Sequence, residues 1–305
     1  MIEKMKYQFY TADVFTDKPF SGNQLAVFPD AQGLDDITMQ KIAAEFNFSE
    51  TVFVFPSSTM NVHRKLRIFT PSAEIPFAGH PTIGTAFILT KIGYIPLEKT
   101  EFDLIFEEGG RKVPVKVKSV DNQTVYAELK ALSAPEFHNH TPPLSDLTKV
   151  LSLSEKDLIL EDYQVQAVSC GLPFLFIPLR NIKSLQKAKI NQPVWENVLS
   201  NFWSPHVYIF CATENNKWRA RMFAPALGIK EDPATGSAAA AFAAYLANRE
   251  NKINGSWQWT IEQGIEMGRP SLLQAHADKE NGTIKEIRVG GACVLVSKGN
   301  LTCLV

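Results

Sequence analysis

The chain states one pattern twice. Residues 67–86 read R-I-F-T-P-S-A-E-I-P-F-A-G-H-P-T-I-G-T-A, and residues 221–238 read R-M-F-A-P-A-L-G-I-K-E-D-P-A-T-G-S-A. Arg67, Phe69, Pro71 and Ile75 return as Arg221, Phe223, Pro225 and Ile229, 154 residues further on. Two residues then drop out, and at a separation of 152 His80-Pro81 is answered by Asp232-Pro233 and Gly84-Thr85-Ala86 by Gly236-Ser237-Ala238. The separation is half of a 305-residue chain. Both copies close on a polar residue, a turn and the small-residue start of a helix. That duplication predicts two similar domains with one site built between them.

Composition sets the class. A hydrophobic content of 45% and a charged content of 21% are those of an ordinary globular protein. Net charge is −1 and no long basic run occurs, which argues against a nucleic-acid partner. No 18-residue apolar run is present, so no membrane span is expected. The four cysteines (Cys170, Cys211, Cys293, Cys303) are scattered and form no C-x-x-C. They read as free thiols of a reducing compartment, and with no apolar leader segment a cytoplasmic location is expected.

Periodicity predicts strands over 7–15, 24–28, 51–55, 62–69, 101–106, 112–117 and 124–129, with helices over 36–46 and 82–89. The proline-rich segment 134–145 reads as a linker between domains at 1–133 and 146–305, the last strand being a candidate to return to the first domain. The second half predicts a helix over 147–158, strands within 165–179, 207–211 and 218–223, and a helix over 237–248. Strands at 257–262, 271–276 and 286–296 follow, the last interrupted by Gly290-Gly291. The 237–248 helix is apolar nearly all round and should be buried on every side. Many strands about one such helix in each half predict an α/β (α+β) fold with a strand layer wrapped around a central helix. Gly236 and Ser237 leave the first-turn N–H groups of that helix uncovered, a natural seat for a carboxylate.

Four residues stand out chemically. Glu50 lies at a helix-to-strand junction beside strongly apolar sequence, where partial desolvation suits a carboxylate to proton shuttling; a lone loop glutamate is also an ordinary surface residue. His80, in A-G-H-P-T, could donate to a substrate oxygen or pass a proton, or simply fill a helix start. Asp232 before Pro233 reads equally as a helix cap. Ser237 reads equally as a small packing residue. The duplication favours use of all four. Metal binding is not favoured: His138-Asn139-His140 lies in the linker with no third ligand near it in sequence.

These segments resemble the phenazine-biosynthesis-type isomerases (PhzF-like proteins) of the diaminopimelate-epimerase superfamily. The resemblance rests on D-V-F-T-D-K-P-F-S-G-N-Q-L-A-V-F (13–28), N-F-S-E-T-V-F (47–53), the first repeated segment (67–86), E-D-P-A-T-G-S-A (231–238) and Q-G-I-E-M-G-R-P-S (263–271), in the family's order. It implies two pseudo-symmetric diaminopimelate-epimerase-like domains, each a curved, mostly antiparallel sheet around a central helix. It implies isomerisation without cofactor or metal, by a single glutamate acting as general acid and base in the interdomain cleft. The family's catalytic glutamate falls on Glu50, its supporting residues on His80, Asp232 and Ser237, and its helix-start glycines on Gly79 and Gly236. Ser49, Asn23, Pro81, Thr82 and Thr235 are expected to join those glycines in binding substrate. The expected partner is a small unsaturated cyclic carboxylate, and a homodimer is the family's common form. Related epimerases and racemases use two opposed cysteines at the helix starts; here those zones hold none, which argues against thiol-based racemisation. The remaining alternatives are a non-catalytic small-carboxylate-binding or regulatory protein of the same fold and a thiol-independent amino-acid racemase or epimerase.

Overall fold

The computed structural model describes residues 6–301 except 97, 98, 121, 122, 160, 162 and 215. Its contacts divide the chain into two compact lobes, Met1–Lys130 with Gly290–Val305, and Ala131–Val289. The first lobe holds β1 (Tyr7–Val14), β2 (Asn23–Phe28), α1 (Asp36–Phe46), β3 (Glu50–Phe55), β4 (Arg64–Phe69), β5 (Glu74–Ile75), α2 (Gly79–Lys91), β6 (Glu101–Glu108), β7 (Arg111–Val120) and β8 (Gln123–Lys130). The second holds β9 (Glu136–His138), α3 (Leu144–Val150), β10 (Gln166–Ser169), β11 (Pro173–Pro178), α4 (Ile182–Lys187), α5 (Gln192–Val198), β12 (His206–Glu214), β13 (Lys217–Ala224), β14 (Ile229–Asp232), α6 (Gly236–Ala247), β15 (Gly255–Gln263) and β16 (Ser271–Glu280). The last strand, β17 (Thr283–Leu301), is shared: its residues from Gly290 onward count with the first lobe, where Cys293–Leu301 pair antiparallel with β1.

Each lobe wraps a sheet around one helix. In the first, α2 packs on β1, β2, β3, β7 and β8; in the second, α6 packs on β10, β11, β15 and β16. Residues 80–90 of α2 and 238–247 of α6 are buried without a polar face, as the sequence predicted for the latter. Alanines let the sheet approach α6, and Phe242 fills the interior against Phe176, Tyr208, Phe210, Trp218 and Tyr245. Smaller outer cores lie on the other sheet face: Phe28, Phe53 and Phe69 under α1, and Leu175, Ile177, Val207 and Ile209 under α3, α4 and α5. No described helix is long and apolar enough to cross a membrane.

The duplication is visible strand by strand. Thr51 pairs with Phe69 and Val207 with Phe223; Leu25 sits beside Glu50 in a parallel pair and Phe174 beside His206 in another. A second parallel pair, β4 with β6, matches β13 with β15. The repeated Arg and Phe are structural. Arg67 grips Glu74 with two nitrogens (2.7 and 2.5 Å) and lies over Phe69; Arg221 grips Glu231 (2.8 and 2.9 Å) and lies over Phe223. Each fork ties a strand to the short strand that returns beside it, and so aims the chain at the central helix.

Three segments differ from the sequence expectation. Residues 136–138, within the expected linker, pair with β10, and His138 stacks on Trp203 at 3.8 Å. The helix expected over 147–158 stops at Val150: Ser152 turns left-handed (φ 54°), and Ser154 and Asp157 cap each other around a separate short turn. Gly290-Gly291 does not interrupt β17. A Cβ at Gly290 would meet the Tyr126 hydroxyl at 2.5 Å and the Ala127 carbonyl at 2.7 Å, so this glycine admits a close neighbour inside a continuous strand.

Candidate active site

In the first lobe the local sequence delivers Glu50 to the start of a buried strand. Asp35 caps α1 by accepting from the Thr38 N–H (2.7 Å). Asn47 ends it in the left-handed conformation (φ 52°), and three residues later Glu50 opens β3. Its carboxylate is about 14% exposed, and Oε2 lies 3.2 Å from Nε2 of His80, itself 7% exposed. Ser49 donates to Oδ1 of buried Asn23 (3.3 Å). His80 is the second residue of α2, followed by Pro81, whose missing N–H costs nothing in a first helical turn. Gly79 is half-buried, Pro81 and Thr82 are buried, and the Thr82 hydroxyl reaches the Ala78 carbonyl at 2.7 Å. Burial lowers the His80 pKa to about 3, opposed only by a hydrogen bond to the Gln24 backbone, so the imidazole is neutral. With one nitrogen engaged at a carbonyl, the other presents a lone pair that pairs with Glu50 only when the carboxyl carries a proton.

In the second lobe Asp232 is the buried last residue of β14. Its Oδ2 accepts the Thr235 hydroxyl at 2.5 Å. The Gln263 amide closes a ring, donating to the Asp232 carbonyl (2.7 Å) and to Thr235 Oγ1 (3.0 Å). Thr235 stands at the N-cap of α6 with its side chain turned away from capping duty, and Gly236 and Ser237 in the first turn are both half-buried. The first N–H groups of this twelve-residue helix have no partner within the helix, so its tip is electropositive.

The structure therefore joins Glu50 with His80 and Ser49 with Asn23 in one lobe, and Asp232 with Thr235 in the other. His80 and Asp232 are not equivalent in their lobes: one is inside a helix, the other ends a strand. Sequence reading passed over Glu108 and Gln263, the buried residues that bind Thr82 and Thr235. Each ends a strand and precedes a glycine, at a separation of 155 residues; extending the repeat past residue 86 would have found them. His138 and Asn139 do structural work, Asn139 accepting from Gln166 at 2.8 Å. Cys211 and Cys293 are buried and Cys170 partly so; Cys303 lies outside the described residues.

In each lobe a sheet wrapped about a central helix gives the epimerase-like fold. The chain belongs to the phenazine biosynthesis-like (PhzF) protein family, whose model matches residues 12–299. It is similar to an uncharacterised isomerase of Mesorhizobium japonicum, 36% identical over 295 residues, covering 95% of this chain and 96% of the relative. It is 34% identical to the trans-2,3-dihydro-3-hydroxyanthranilate isomerase of Pseudomonas chlororaphis, covering 97% and 99%. Among solved structures, the PhzF-family protein of Bacillus anthracis superposes with a TM-score of 0.87 at 26% identity, over 97% of this chain and 99% of that one. The protein is thus an enzyme of the isomerase class.

Proposed function

We propose that the protein moves a proton within a small unsaturated cyclic carboxylate, with Glu50 as the single acid–base group. The approach of Glu50 to a neutral His80 carries this reading. A carboxylate that takes a proton from carbon becomes a donor, and the free nitrogen of His80 is placed to accept its O–H bond while the substrate rearranges. The same carboxyl then returns the proton to a second carbon on that face. The substrate needs an extended π-system, so that charge spreads as the proton leaves. The α6 tip, with Ser237, would hold the substrate carboxylate, and Asp232 would fix an amino or hydroxyl substituent. Such preorganised dipoles often supply more of the rate than the base does.

The thiols support an acid–base route over a thiol-based one. Burial pushes Cys170 and Cys293 up to about 12 and Cys211 to about 11, far from the thiolate form. The trans-2,3-dihydro-3-hydroxyanthranilate isomerases among the relatives make dihydroanthranilate-type acids the first substrates to try. The test is deuterium incorporation from solvent into such acids. Exchange by the wild type and its loss in Glu50→Gln is the expected result. Exchange surviving in Glu50→Gln would overturn the role of Glu50.

A further inference from the structure

Glu108 is a carboxyl that the proposed chemistry does not use, 2% exposed at the end of β6. Thr82 Oγ1 lies 2.8 and 2.9 Å from its two oxygens and 2.7 Å from the Ala78 carbonyl. The hydroxyl has one hydrogen, and both neighbours would be acceptors if Glu108 were ionised. One contact would then be two acceptors face to face in a buried site. A neutral Glu108 removes the conflict: its O–H donates to Thr82, and Thr82 donates to Ala78.

The second lobe carries the same arrangement with an amide. Strand register makes the two positions equivalent. Glu108 lies beside Leu66 in the parallel β4–β6 pair, and Gln263 follows Glu262, which lies beside Arg219 in β13–β15. Gln263, fully buried, donates Nε2–H to Thr235 Oγ1, and Thr235 donates to an oxygen of Asp232. In each lobe a threonine passes its hydrogen back to the helix approach and receives one from the strand end. Both strand ends are followed by a left-handed glycine beside a proline of that approach: Gly109 (φ 53°) against Pro76, and Gly264 (φ 76°) against Pro233.

We propose that Glu108 is a positioning residue that works as an uncharged hydrogen-bond donor, the counterpart of Gln263, and through Thr82 fixes the first turn of α2 that carries His80. Burial pushes its pKa up to about 8, with the Thr82 hydroxyl opposing. The neighbouring charges face elsewhere. Arg111, opposite it on β7, is exposed; Lys65 on β4 pairs with Glu107; Arg67 and Glu74 hold each other; and Glu50 faces His80. Above about pH 8, Glu108 ionises, Thr82 must turn its hydrogen to it, and the Ala78 carbonyl exchanges a 2.7 Å hydroxyl bond for the 3.4 Å approach of the Thr82 N–H alone.

The decisive measurement is infrared difference spectroscopy of the whole protein against pH, comparing wild type with Glu108→Gln. A protonated-carboxyl band that is present at pH 7, vanishes around pH 8 and is absent from Glu108→Gln supports the assignment; a Glu108 already ionised at pH 6 overturns it. This readout is independent of the reaction proposed above. The activity readout rests on that reading: wild type should lose rate about tenfold per pH unit above the transition, as one ionisation requires. Glu108→Gln should match wild type at pH 7 and keep its rate at pH 9, while Glu108→Leu loses it at both. A Gln variant as impaired as the Leu variant, or one sharing the alkaline loss, would sink the proposal even if Leu fails to fold.

Discussion

Nε2 of His80 stands 3.2 Å from Oε2 of Glu50, and the imidazole that makes this approach is held neutral by burial. The second lobe places His206 at the equivalent strand position, also buried, with its pKa lowered to about 4. Both histidines refuse a proton in the folded state that the unfolded chain accepts below about pH 6.5. Stability is therefore fully present above pH 6.5 and falls as pH drops toward the folded pKa values. The slope is at most about 1.4 kcal/mol per pH unit per histidine. Urea unfolding at pH 7 and pH 5 should show His80→Asn losing about 1–2 kcal/mol less than wild type between the two. Equal losses would mean that His80 takes up its proton at the same pH in the folded protein as in the unfolded chain.

Glu50 and Ser237 are assigned different tasks, and kinetics separate them. Glu50→Gln removes the proposed proton carrier, so kcat should fall about 10²- to 10⁴-fold with KM little changed. Ser237→Ala removes one donor at the α6 tip and is expected to raise KM about tenfold with kcat nearly intact, the value of a single hydrogen bond to a charged group. Steady-state rates on an accepted dihydroanthranilate-type acid check both. A Ser237→Ala variant that loses kcat alone would move Ser237 from holding substrate to stabilising the transition state.

The two arginine forks share a sequence signature but not a burial. Arg221 also donates to the Leu185 and Ala188 carbonyls at 2.8 Å each, and its side chain is 8% exposed; Arg67 reaches instead to solvent-facing Asp36. Arg221→Ala strands a carboxylate and two carbonyls and should cost about 3–5 kcal/mol. Arg67→Ala breaks a more exposed pair, for which about 1 kcal/mol is expected. Chemical denaturation of the two variants should reproduce that order, with added salt weakening wild-type stability through Arg67 more than through Arg221.

These contrasts mark what the chain discloses by itself. The α1 boundaries were legible because Asp35 and Asn47 are local stop signals, and α6 because ten buried positions in a row admit no polar residue. The short helices α4 and α5 were not, since six or seven residues are too few to establish a helical period. Glu50 and His80 could be picked out as chemical candidates, but their approach depends on β2–β3 register and the tilt of α2, which no local pattern encodes. Glu108 escaped notice because an acid beside two glycines reads as a solvated turn; only tertiary burial makes it an unusual carboxyl.

Thiol chemistry offers an inexpensive check on the reaction class. With Cys170, Cys211 and Cys293 all held well above their usual pKa by burial, iodoacetamide at pH 8 should react slowly with them and leave isomerase activity in place. Rapid inactivation that substrate prevents, tracking to one of these three by peptide mapping, would return a thiol mechanism to consideration.

Gly264 and Gly228 have nearly the same backbone, φ 76° and 73°, in different surroundings. A Cβ at Gly228 meets nothing within 4 Å, so Gly228→Ala pays only for the left-handed conformation, about 1–2 kcal/mol. At Gly264 it would lie 2.4 Å from the Arg269 carbonyl and 2.5 Å from the Pro233 carbonyl, both backbone atoms that cannot rotate away. Gly264→Ala should therefore cost clearly more, above about 3 kcal/mol. The strain falls on Pro233, the residue after Asp232, so any folded fraction of the variant should also lose turnover. Calorimetry and activity on both variants test this: equal stability losses would show that conformation alone governs the two sites, and full activity in folded Gly264→Ala would show that Asp232 tolerates a displaced neighbour.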